Sequence, residues 1–167
     1  MRITLLIALV TALGLALSVV VFGNFSFLAD NISSLGSFKS KSFVIFATTL
    51  ITSGFLSYIY FTRLAEENKI NQNLYTLIQL DLFFLFSIVI FPIEFHLIHF
   101  LFSVAFFTTF LFILLITRYF FLSAIYILNW TLYFCLKPFG GKAIPELVSI
   151  VIMLHWINLI EKTGSKN

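Results

Sequence analysis

The stretch Leu74–Thr117, LYTLIQLDLFFLFSIVIFPIEFHLIHFLFSVAFFTTFLFILLIT, decides the fold. It holds two apolar runs, 74–92 and 97–117, joined only by Ile93-Glu94-Phe95-His96. A hydrocarbon core about 30 Å thick takes about 20 helical residues at about 1.5 Å each, and both runs meet that length. Their continuous hydrophobicity, without alternation in segments of about ten residues, predicts helices rather than barrel strands. A joint this short makes the two helices antiparallel neighbours.

Four further apolar runs flank this hairpin, near 3–22, 42–61, 120–136 and 144–160. The expectation is an all-α integral membrane protein, a six-transmembrane-helix bundle with short loops forming one polytopic domain over 1–167. Composition agrees. Hydrophobic residues are 60% of the chain, charged residues 10%, and the mean hydropathy of +1.07 excludes an ordinary soluble domain. The expected partners are membrane lipids and another membrane protein or a second copy of the chain; no nucleic-acid partner and no cofactor is expected. Arg2 and the small-residue step Ala16-Leu17-Ser18 fit a cleavable leader, but the run continues through Val19-Val20-Val21-Phe22, which predicts a retained span.

With six spans the basic residues divide between two faces. Arg2, Arg63, Lys69, Arg118, Lys162 and Lys166 fall on one, and Lys39, Lys41, Lys137 and Lys142 on the other. This bias predicts that both termini lie in the cytoplasm. The joint 23–41, rich in serine, predicts an ordered outer cap or a short re-entrant element, and 63–73 a solvated turn. The joint 137–142 is rich in helix breakers, and Pro145 opens the last helix. Lipid exposure is sufficient reason for the 23 phenylalanines. The lone Cys135 excludes an internal disulfide. Small residues of the second span, Ala47, Thr48, Thr52, Ser53 and Gly54, suit close helix packing.

Asp30, Ser33, Ser34, Glu94, His96, His99 and Glu146 all fall at the outer ends of helices or in outer joints. The structural reading is that charged groups sit where water reaches them. The functional reading is an outer-leaflet site with candidate catalytic residues Asp30, Ser33, His96, His99 and Glu146, in which a histidine serves as base and a carboxylate orients it. No metal is expected, although His96 and His99, spaced i and i+3, with Glu146 are weak candidate ligands. Inside the bilayer, Asp81 must face protein or a wet cavity. Depth arithmetic pairs it with His155, each being 11 residues from an outer boundary, so an Asp81–His155 hydrogen bond between the third and sixth helices is expected. Gln79 and Asn129 are the other polar residues at this depth.

Three segments also carry a resemblance. Asp30-Asn31-Ile32-Ser33-Ser34-Leu35-Gly36, then Phe91-Pro92 with His96, His99 and Phe106-Phe107, and finally Ile144-Pro145-Glu146-Leu147 with Trp156 resemble elements of the prokaryotic domain-of-unknown-function family 998. That family is distantly similar to the Frag/DRAM/Sfk group. The resemblance implies a six-helix membrane protein with Asp30, Ser33, Gly36, Pro92, His96 or His99, and Glu146 at its outer face; it implies no reaction. The leading functional expectation is therefore a non-catalytic lipid-interacting or partner-binding envelope module. Its rivals are an enzyme of outer-leaflet lipids, working by acyl hydrolysis or transfer, and a proton-coupled transporter using Asp81 and His155.

Overall fold

The computed structural model describes residues 2–136 and 142–164. Six α-helices run through them: α1 (Ile3–Phe22), α2 (Phe43–Glu66), α3 (Gln72–Ile90), α4 (His96–Ile116), α5 (Phe120–Leu136) and α6 (Ala143–Gly164), with short 3-10 turns at Ile32–Gly36 and Ile93–Phe95. No strand occurs among the described residues. Each helix packs on its neighbour in the chain, and α6 returns against α1, so the six close a ring in chain order. Contact between α4 and α6 narrows that ring on one side.

Several bounds differ from those expected. α2 continues to Glu66, because Arg63, Leu64, Ala65 and Glu66 carry no breaker and Arg63 Nε reaches Glu67 one turn on, at 2.8 Å. Lys69 Nζ holds the other Glu67 oxygen at 2.7 Å. Hydrogen bonds from Lys69 and then Arg63 keep the Glu67 carboxyl below its ordinary range. α3 starts at Gln72 because the Asn71 side chain accepts from Leu74 N at 2.8 Å. α2 and α4 both stop with a non-glycine residue in the left-handed region, Asn68 (φ 54) and Arg118 (φ 60). Bonds from Lys69 N to Leu64 O and from Tyr119 N to Leu114 O close those two ends. Lys137 and Lys166, and with them the joint 137–141, lie outside the described residues.

The distribution of side chains is inverted relative to a soluble bundle. Val20, Leu97 and Phe121 are 73%, 69% and 78% exposed, among many other bare apolar side chains, while Thr11, Ser18, Thr49, Ser53, Ser57 and Ser149 are buried. In water so much contiguous apolar surface would drive aggregation; against lipid it costs nothing. Most of these hydroxyls bond back to their own helices, as in Ser18 Oγ to Gly14 O at 2.7 Å and Ser57 Oγ to Ser53 O at 2.8 Å, while Ser53 Oγ reaches Thr11 Oγ1 across to α1. Their small size lets backbones approach. Five helices are long and apolar enough to cross a membrane, which suggests a multi-pass membrane protein.

Candidate functional site

The 3-10 turn Ile32–Gly36 inserts into one end of the ring against α1, α2 and α6. Leu35 is fully buried and Ile32 nearly so. Gly36 is required there because a Cβ would come within 2.6 Å of the Phe46 ring. Ser42 Oγ donates to Leu35 O at 2.8 Å.

Glu146 in the first turn of α6 accepts from Ile32 N at 2.6 Å, and the Ser33 amide also faces its carboxylate. It thus satisfies the open amides at the start of the 3-10 turn, 114 residues earlier in the chain. The reverse contacts are made by backbone: Ala143 N donates to Asp30 O at 3.1 Å and Lys142 N to Asn31 Oδ1 at 2.8 Å. The Asp30 carboxylate accepts from Ser26 N at 2.8 Å, Ser34 Oγ accepts from Asn31 N at 3.4 Å, and Ser37 Oγ donates to Glu94 Oε1. His99 is buried and donates from Nδ1 to Phe91 O at 2.8 Å, closing the end of α3. His96, three residues earlier, is exposed.

The catalytic constellation expected from sequence is therefore not assembled. Asp30, His99 and Glu146 each bond to backbone rather than to one another, and His96 and His99 do not share an environment despite their spacing. Among the described residues, no group of three His, Cys, Asp or Glu is placed to hold a metal ion. The intramembrane pair is also corrected. Asp81 is buried with its Oδ1 unpartnered, whereas His155 is exposed, in line with Val151 one turn earlier. Equal depth along two helices does not fix the rotation of either, and α6 turns Ile152 and Trp156 inward instead. Gln79 is exposed as well, and Asn129 Nδ2 donates to Pro145 O at 3.0 Å.

Two hollows share this end of the molecule. One, of about 160 Å³, lies inside the ring and is lined by α1, α2, α3, α4, α6 and the 3-10 turn; Asp81, Ser53, Ser33 and Glu146 are among its walls. Phe61 and Trp156, stacked at 5.5 Å, line it far from the turn, and Trp156 Nε1 is anchored to Thr117 Oγ1 at 3.1 Å. The other, of about 450 Å³, is a lateral groove between α4 and α5, walled by residues such as Val104, Leu111, Ile127 and Phe134 and ending at Lys142 and Glu146. Ser103, Phe107 and Glu146 line both. α5 is held off by polar pegs, Tyr126 OH to Phe107 O at 3.0 Å and Trp130 Nε1 to Ser149 Oγ at 3.1 Å. Lys142 Nζ lies 5.5 Å over the Phe100 ring at the polar end of the groove. Sequence singles out Lys142 only as one of four cations on its face; its place beside an apolar groove depends on the ring closing through α6.

No protein-family model, curated protein or solved structure matches this chain.

Proposed function

We propose that this chain is a six-span protein of a prokaryotic cytoplasmic membrane, related to the domain-of-unknown-function family 998, that acts without a catalytic cycle by holding an anionic membrane lipid in the lateral groove. The observation that carries the reading is the groove itself: apolar walls of about one acyl chain's character running to the Lys142 ammonium, which lies over the Phe100 ring beside Glu146 at the polar end. A phosphate at Lys142 with its acyl chain between α4 and α5 satisfies both parts at once. The cap residues Asp30, Ser33 and Glu146 then serve to hold α6, and with it Lys142, in register with the start of α2. Hydrolysis or acyl transfer has weaker support, because Asp30, His99 and Glu146 are engaged with backbone.

The test is native mass spectrometry of the protein released from mixed phosphatidylglycerol and phosphatidylcholine. Preferential retention of phosphatidylglycerol is expected, reduced about fivefold by Lys142→Ala, the equivalent of about 1 kcal/mol for one surface cation. Thr108→Trp, which fills the groove, removes retention of both lipids. Equal retention of the two lipids, unmoved by either substitution, would sink the reading.

A further inference from the structure

The cavity inside the ring poses a separate problem. Asp81 on α3 is 8% exposed, its Oδ1 has no hydrogen-bond partner, and no Lys, Arg or His pairs with it among the described residues. Burying a carboxylate without a partner is costly, and an interior position demands compensation. The cavity it lines is otherwise mostly apolar and in part aromatic, with Phe106, Phe107 and Phe110 of α4 on the wall. The polar groups beside Asp81 on this wall are the hydroxyls of Thr11, Ser33, Ser53, Ser57 and Ser103 and, toward the 3-10 turn, the Glu146 carboxylate; Thr11 Oγ1 donates to Ile7 O at 2.8 Å, Ser57 Oγ to Ser53 O at 2.8 Å, and Glu146 accepts from Ile32 N.

These features select among guests. A bare metal cation needs six or so converging oxygen ligands, and among the described residues no three His, Cys, Asp or Glu side chains converge to hold one. A neutral hydrocarbon leaves the carboxylate unpaired. An organic ammonium supplies a charge and N–H donors for the carboxylate, a body for the apolar wall, and a cation for the aromatic faces. Size agrees as well, since an engineered cavity of about 150 Å³ in another protein holds benzene and this one is about 160 Å³.

We propose that the cavity lined by α1, α2, α3, α4 and α6 is a binding site for a small organic ammonium ion, with Asp81 as its counter-ion and the phenylalanines of α4 as its aromatic wall. It goes beyond the lipid groove and does not depend on it. The ammonium site adjoins the groove at Ser103, Phe107 and Glu146.

The experiment compares benzylamine with benzyl alcohol, a neutral molecule of nearly the same shape, on full-length protein in nanodiscs, with saturable binding read by ligand-detected NMR. Benzylamine is expected to bind about tenfold or more tightly than the alcohol, and Asp81→Asn to abolish that preference while keeping binding of the alcohol. Equal binding of the two molecules by the unaltered protein, or no saturable binding of either, overturns the proposal without recourse to any variant. An Asp81→Asn protein that folds and still prefers the amine also overturns it. Lys142→Ala, expected to weaken lipid retention, leaves the amine preference unchanged, so the two sites fail separately.

Discussion

Glu146 shows how a single residue can be conspicuous in sequence and yet be misread. An acidic residue at the start of an apolar span, behind a proline, stands out from hydropathy alone. Its partner does not, because Ile32 N is 114 residues away and no periodicity encodes a contact between the first joint and the last helix. The carboxylate replaces the amide partners that a 3-10 turn cannot supply for itself. Glu146→Ala leaves the Ile32 amide without its acceptor, and a loss of about 1–3 kcal/mol is expected, read as a lower midpoint of thermal unfolding in mild detergent. Glu146→Gln keeps an acceptor oxygen of the same reach and should recover most of that loss. If Gln were as damaging as Ala, the charge rather than the acceptor would be what the turn needs. Asp81 carries the converse lesson: hydropathy correctly demands an inward position, but pairing it with His155 from depth alone leaves rotation about the helix axis free.

At the scale of elements, apolar length made all six helices legible, and the short joint at 93–96 made α3 and α4 neighbours. The contacts between the helices were less so. Small residues in α2 pointed to close packing, and they divide: Ser53 and Gly54 are buried, with Ser53 Oγ and Thr11 Oγ1 hydrogen-bonded at 2.9 Å, while Thr48 and Thr52 are exposed. Among the glycines, the closest approach of a neighbouring helix falls at Gly14 of α1, which sequence does not distinguish from the other small residues of its run. A Cβ there would lie 2.1 Å from Thr49 Oγ1 and 2.8 Å from Thr49 Cβ. Because the Thr49 hydroxyl is tied to Ile45 O at 2.7 Å and its Cβ cannot rotate away, the helices themselves must part. Gly14→Ala is therefore expected to cost about 1–3 kcal/mol. Ala is otherwise the better helix former, so an unchanged or raised unfolding midpoint in detergent would mean that α1 and α2 do not meet at this point.

For the whole molecule, the six-span proposal is tested most sharply at α5. It has 17 residues, about 26 Å at 1.5 Å per residue, slightly short of a core of about 30 Å. Packing supports the proposal that it crosses. The start of α6 is fixed beside the 3-10 turn by Lys142 N to Asn31 Oδ1 and by Ala143 N to Asp30 O. The joint before α5 belongs to the opposite end, where Thr117 receives Trp156 Nε1 and where Thr4 Oγ1 donates to Glu161 Oε2. A helix that links those two ends traverses the same depth as α6, and a slight shortfall is met by local thinning or by snorkelling of Arg118 and Lys142. The measurement is impermeant thiol labelling of single cysteines in sealed, oriented vesicles, with Cys135→Ser as background. Lys69→Cys and Arg118→Cys should react from one side, and Lys39→Cys and Lys142→Cys from the other. If Arg118→Cys and Lys142→Cys reacted from the same side, α5 would lie in the interface, and Lys142 could not close the outer end of a lipid groove. Should all four divide as expected, with Lys69→Cys and Arg118→Cys protected from reagent added outside cells, the excess of basic residues on the terminal face is what sets the orientation.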